Sequence, residues 1–95
     1  MIQKIRAQVE LLEPMGATCK IVLDNSTIFI DGTKEKNEVR EDNSEAQCTI
    51  ITTQDVLIKM RNGELNPMSA VMKGLIIIKG NMGLAMKLQT ILSEE

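Results

Sequence analysis

Histidine is absent from this 95-residue chain, tryptophan and tyrosine are absent too, and phenylalanine occurs once, at Phe29. The lack of histidine removes the usual general base, the commonest zinc ligand, and the base partner of a serine or cysteine nucleophile. Cysteine is scarce. Cys19 and Cys48 are too few for a structural zinc site, and both sit in strand-like runs, where a small buried thiol is the ordinary reading and a disulfide the minor one. No run of about 18 apolar residues exists, so no membrane-spanning helix is expected. A basic cluster is missing as well: 11 Lys and Arg stand against 13 Asp and Glu, for a net charge of -2. Scattered charge of this kind argues against tight binding to a phosphate backbone and against electrostatic recruitment to anionic membranes, while leaving apolar contact open. The chain opens on a charged segment instead of a signal peptide's apolar core and ends Ser93-Glu94-Glu95, not on a peroxisomal address. The expected compartment is cytoplasmic and reducing.

What is present patterns as one domain, residues 1–95. Ile2, Ile5, Val9 and Leu12 recur at helical spacing until Pro14 and Gly16 close the segment. "ATCKIVLD" alternates, with Ala17, Cys19, Ile21 and Leu23 on one face, and "TIFID" returns after a short turn as the second arm of a hairpin. "DGTKEKNEVREDNSE" carries one apolar residue, Val39, among charges of both signs, and reads as a solvated edge strand with its loops. "QCTIITT" is a further strand. Thr52 with Asp55 resembles a capping box opening the helix "TQDVLIKMRNG", which Gly63 ends. Asn66-Pro67 starts a shorter helix closed by Gly74, "LIIIK" is the last strand, and a final helix follows Gly80. The expected class is α+β: five strands in a mostly antiparallel sheet, with helices packed on one face.

The final helix has more apolar surface than docking requires. At about 100° per residue, Leu84, Ala85, Leu88, Ile91 and Leu92 share one face, while Met82 and Met86 fall on another. Of the seven methionines, five lie in the two middle helices and the last: Met60, Met68, Met72, Met82 and Met86. Methionine is unbranched and polarizable, so it serves as core filler or as an adaptable wall for ligands of varied shape.

Residues 48–88, "CTIITTQDVLIKMRNGELNPMSAVMKGLIIIKGNMGLAMKL", resemble the sterol carrier protein 2 (SCP-2) domain family. "NGELNP", "SA", "KG" and the specific nonapeptide "GNMGLAMKL" occur in the family's order and spacing; the first half fits more loosely. The resemblance implies an apolar tunnel between sheet and helices, covered by the C-terminal helix. It implies non-enzymatic binding, transfer or presentation of a long-chain lipid: a fatty acid, fatty acyl-CoA, sterol or isoprenoid. No cofactor, metal or nucleic acid is implied. Met60, Met68, Val71, Met72, Met82 and Met86 become the candidate lining. Gln89, which also matches the family, becomes the candidate partner of a hydroxyl, carboxylate or thioester oxygen. Gly80 is expected to serve the turn out of the strand, and Gly83 the close approach of the helix start to its neighbour.

Two departures matter. Val71 and Met72 stand where many members carry aromatics, which favours an acyl or isoprenoid chain over a flat sterol. In the last strand Leu75, Ile76, Ile77 and Ile78 run together. With Ile76 and Ile78 facing in, Leu75 and Ile77 make an apolar pair outside, expected to be covered by the first helix, a second copy, or a partner such as a lipid-metabolising enzyme. An interaction or dimerisation module with a filled core is the alternative function. Catalysis fits least, because the carboxylates gather in the charged segment, away from the apolar helices.

Overall fold

The computed structural model describes residues 2–11 and 14–92. Nine elements follow the expected order: α1 (Ile2–Glu10), β1 (Thr18–Leu23), β2 (Ser26–Asp31), β3 (Glu38–Glu41), β4 (Cys48–Thr52), α2 (Gln54–Arg61), α3 (Pro67–Met72), β5 (Ile77–Gly80) and α4 (Met82–Leu92). The strands form one five-stranded sheet in the order β3-β2-β1-β4-β5. β1 to β3 is an antiparallel meander whose outer edge is the short charged strand β3; the chain then returns to lay β4 parallel to β1, and β5 closes the far edge antiparallel to β4. The sheet is therefore mixed, antiparallel in three of its four pairings.

Side-chain alternation decides what lies under the helices. Cys19, Ile21 and Leu23 of β1, Ile28 and Ile30 of β2, and Cys48 and Ile50 of β4 are buried on one face. The same cluster takes Ile5 and Val9 from α1, Val56, Leu57 and Met60 from α2, Ala70 from α3, and Ala85, Leu88 and Leu92 from α4. All four helices thus contribute to one inner layer. Leu12 lies outside the described residues, as do the side chains of Ile2 and Ile91.

Three expectations need correction. Thr53, not Thr52, caps α2: its hydroxyl accepts from the Val56 N–H at 3.2 Å. Thr52 is held extended as the last residue of β4, opposite Leu23, and its hydroxyl donates to the Leu75 carbonyl at 3.1 Å. The close approach in "GNMG" belongs to Gly80, not Gly83. A Cβ on Gly80 would sit 2.3 Å from the Gln47 carbonyl oxygen, and its φ of +86° suits glycine; one on Gly83 would meet only Asn81 Oδ1, at 3.5 Å. The third correction concerns α1. It packs on the inner face through Ile5 and Val9 and does not cover Leu75 and Ile77.

Polar side chains set the helix ends. Asn66 caps α3 ahead of Pro67, its Oδ1 accepting from the Met68 N–H at 2.8 Å. Asn81 does the same for α4, its Oδ1 accepting from the Leu84 N–H at 3.1 Å. Buried Asn37 donates to the Val9 carbonyl at 3.1 Å, one of the last four of α1 that the helix itself leaves open, and accepts from the Met15 N–H at 3.2 Å. These bonds lock the α1–β1 connection to the approach to β3.

Candidate functional site

α4 is the natural centre of the site, because it crosses the inner face of the sheet and has apolar residues to spare. Its start is fixed by the Asn81 cap and by the Asn81 N–H donating to the Gln47 carbonyl at 2.9 Å. From there Ala85, Leu88 and Leu92 point into the core with essentially no exposure. Gln89, four residues after Ala85 and three before Leu92, shares that inward direction and is 2 % exposed. Among the described residues, neither its Nε2 nor its Oε1 has a hydrogen-bond partner. A buried amide left in that condition costs about 1–3 kcal/mol, and native interiors rarely keep one without a reason.

The methionines divide. Met60 is buried under α2, and Met86 is half-buried on α4. Met82, one turn earlier, is mostly exposed, so α4 does carry a second apolar face, graded from solvent inward. On α3, Ala70 is fully buried and Val71 half-buried against the core, which turns Met68 and Met72 outward; Met72 is 82 % exposed. The reason is length. A helix of six residues docks closely through one small side chain and leaves its i, i+4 pair in water. Leu75 and Ile77 are 41 % and 48 % exposed on the outer face, while Ile76 and Ile78 turn inward.

Arg61, which the sequence did not mark, ties the layer together. Its Nε donates to the Leu92 carbonyl at 2.9 Å and its Nη2 to Gln8 Oε1 at 2.8 Å, joining the ends of α2 and α4 to α1. A cation at the C-terminus of α4 also meets the negative end of the helix dipole. An open cleft of about 670 Å³ lies beside the end of α1 and β3, bordered by Leu11, Asn37, Val39 and the charges of Glu10, Lys36, Glu38 and Arg40. None of the candidate lipid-lining residues read from the sequence borders it.

Cys19 and Cys48 face one another as register partners on β1 and β4, both fully buried and free. The Cys19 thiol is pushed well above its ordinary pKa, first by its hydrogen bond with Cys48 and then by burial. It is thus a packing group, not a nucleophile. Among the described residues no three Cys, Asp or Glu side chains come together to hold a metal ion, and no helix is long and apolar enough to cross a membrane.

The sequence profile of the SCP-2 sterol transfer family matches residues 2–93. The chain belongs to that family. Rat sterol carrier protein 2 is 40 % identical over 67 residues, which cover 70 % of this chain and 12 % of the rat protein. Human hydroxysteroid dehydrogenase-like protein 2 is 36 % identical over 73 residues, or 75 % of this chain and 18 % of that one. The SCP-2 domain described here therefore spans less than a fifth of the length of either relative. Its fold is that of palmitated SCP2L2 from Aedes aegypti, with a TM-score of 0.70 at 18 % identity, covering 96 % of this chain and 89 % of the other.

Proposed function

We propose that this SCP-2 domain is a non-enzymatic carrier that binds one long-chain lipid between the inner face of the sheet and α4, and moves or presents it within the cytoplasm. The observation that carries the reading is Gln89: a buried carboxamide on the inward side of α4, beside Ala85, Leu88 and Leu92, with both polar atoms unpartnered among the described residues. A lipid placed there meets apolar walls along its chain and one group able to donate and accept at its oxygenated end. Fatty acids, fatty acyl-CoAs, sterols and isoprenoids share that chemistry. The scarcity of aromatic rings favours an acyl or isoprenoid chain.

Burial of the chain supplies the driving force, about 0.8 kcal/mol for each CH₂. Met60 and Met86, with Val71 at the margin, form the adaptable part of the wall, since a thioether side chain repacks around chains of different shape. Met68, Met72 and Met82 stand on the solvent side of the same helices. Entry requires α4 to shift against the sheet, hinged between its Asn81 cap and its Arg61 anchor. The test is displacement of a fluorescent long-chain fatty acid from the wild-type protein and from Gln89→Leu. Weaker binding by the variant is expected; unchanged affinity overturns the placement of the head.

A further inference from the structure

One row of the inner sheet face shortens its side chains toward the β5 edge, and the register sets it. A neighbouring row is isoleucine throughout: Ile28, Ile21, Ile50 and Ile78. The shortening row reads Ile30, Cys19, Cys48 and ends at Gly80, which has no side chain. α4 packs on β4 and β5, and its Asn81 N–H donates to the carbonyl of Gln47, the residue before Cys48. The two thiols of the chain therefore lie side by side on the inner face near the start of α4, in the same buried cluster as Ala85, Leu88 and Leu92. Gln89 lies eight residues past Asn81, about 12 Å along the helix. A lipid whose oxygenated end meets Gln89 and whose chain follows α4 back to its start passes Cys48 in mid-chain.

Cys19 and Cys48 are direct partners across parallel strands. The strand spacing of about 4.8 Å falls inside the roughly 4.4–6.8 Å between Cα atoms that a disulfide spans. Both residues are fully buried and free. The Cys19 thiol donates to the Cys48 sulfur. That bond lowers the Cys48 pKa against the opposing effect of burial, with a further contribution from the Lys20 backbone N–H, and it keeps Cys19 protonated. One sulfur is thus prepared as a thiolate, with an acid beside it. Neither has surface open to water, so the reactant suited to them is one that arrives inside the lipid.

We propose that this dithiol reduces the hydroperoxide of an unsaturated acyl chain held beneath α4, leaving the lipid alcohol, water and a Cys19–Cys48 disulfide. Unsaturated chains take up oxygen beside their double bonds, so the O–O group sits in mid-chain, where the path from Gln89 meets Cys48. The Cys48 thiolate attacks the terminal peroxide oxygen and the O–O bond breaks. Cys48 becomes a sulfenic acid, and the departing alkoxide takes the Cys19 proton. Loss of that proton makes Cys19, a packing group at rest, a thiolate. It attacks the Cys48 sulfur, hydroxide leaves, and the proton first lost from Cys48 converts it to water. Two electrons pass from two thiols to one O–O bond. The step is stoichiometric, one hydroperoxide for each chain, and it rests on the carrier reading for delivery of the lipid.

The experiment mixes fully reduced protein, free of metal ions and oxygen, with one equivalent of linoleic acid hydroperoxide, and in parallel with linoleic acid or tert-butyl hydroperoxide. Native mass spectrometry reads binding, denaturing mass spectrometry reads the protein, and chromatography reads the lipid. The expected result is about one equivalent of hydroxy acid per chain and a protein lighter by two hydrogens, formed at least about tenfold faster than with tert-butyl hydroperoxide, because the bound chain holds its peroxide at the thiols. Cys48→Ala should abolish the reduction, and Cys19→Ala should leave a protein heavier by one oxygen. The wild-type masses are decisive even where a variant fails to fold. A hydroperoxide bound with its O–O bond intact and both thiols free overturns the inference and leaves the carrier reading standing. So does a wild-type protein heavier by one oxygen at methionine, which assigns the reduction to a thioether. Failure of both linoleic acid and its hydroperoxide to bind removes the carrier reading and this inference with it.

Discussion

Gln89→Leu is the substitution whose two consequences oppose each other most informatively. The wild-type carboxamide is 2 % exposed and neither of its polar atoms is bonded among the described residues. Leucine has a similar volume and no polar atom, so it removes a desolvation cost of about 1–3 kcal/mol. For a chain of 95 residues, each kcal/mol corresponds to roughly 4–8 °C in unfolding temperature. The variant should therefore melt at least about 4 °C above wild type, while its affinity for a long-chain lipid falls. Loss of one neutral hydrogen bond, about 0.5–1.5 kcal/mol, predicts roughly 2- to 12-fold weaker binding; loss of a bond to an ionised carboxylate, about 1.5–3 kcal/mol, predicts roughly 10- to 150-fold. Thermal unfolding by far-UV circular dichroism and displacement of a fluorescent fatty acid measure the two effects on the same sample. A variant destabilised by more than about 1 kcal/mol would mean that Gln89 holds the core together, and would refute the reasoning even if binding fell.

Gly80→Ala should destabilise the fold by about 2 kcal/mol or more, because the new Cβ meets the Gln47 carbonyl and φ is +86°; Gly83→Ala should cost far less, and a urea titration of both variants distinguishes them. The Cys19 thiol, raised above its ordinary pKa of 9.0 by Cys48 and burial, stays protonated in the folded state after the unfolded chain has begun to ionise. Above about pH 9 the unfolded state then binds fewer protons than the native one, so this thiol's contribution should fall by up to about 1.4 kcal/mol per pH unit, whereas Cys48, whose pKa the same hydrogen bond lowers, contributes in the opposite sense below that pH. Urea midpoints between pH 7 and 10.5 check this, and Cys19→Ser should flatten the slope.

The alternation of β1 was legible because a strand with one buried face repeats every second residue, and Cys19, Ile21 and Leu23 do face inward together, with Ala17 buried just ahead of the strand. β3 was legible as an edge because only Val39 among its neighbours needed shelter. The inward turn of Ile76 and Ile78 followed from the same period, leaving Leu75 and Ile77 outside. Pairing across the sheet was not legible. The return of β4 to lie parallel beside β1 is encoded by no local pattern. Arg61 escaped notice because it resembles any basic residue in the last turn of a helix; only the packing of α1 and α4 against α2 gives it Gln8 and the Leu92 carbonyl. The two threonines before α2 were indistinguishable by type, and the ladder with Leu23 chose between them. Helical spacing grouped Met68 with Met72 correctly but was silent on which side they took, which the docking of Ala70 determined.

The most direct test of lipid carriage is native mass spectrometry of the freshly purified protein, followed by addition of one equivalent of a long-chain fatty acid and organic extraction of any adduct. The account predicts a single lipid-sized adduct per chain, present at purification or formed on addition, and diminished in Gln89→Leu. A mass that stays that of the bare chain at every fatty-acid concentration would contradict it and leave the inner layer as a filled core.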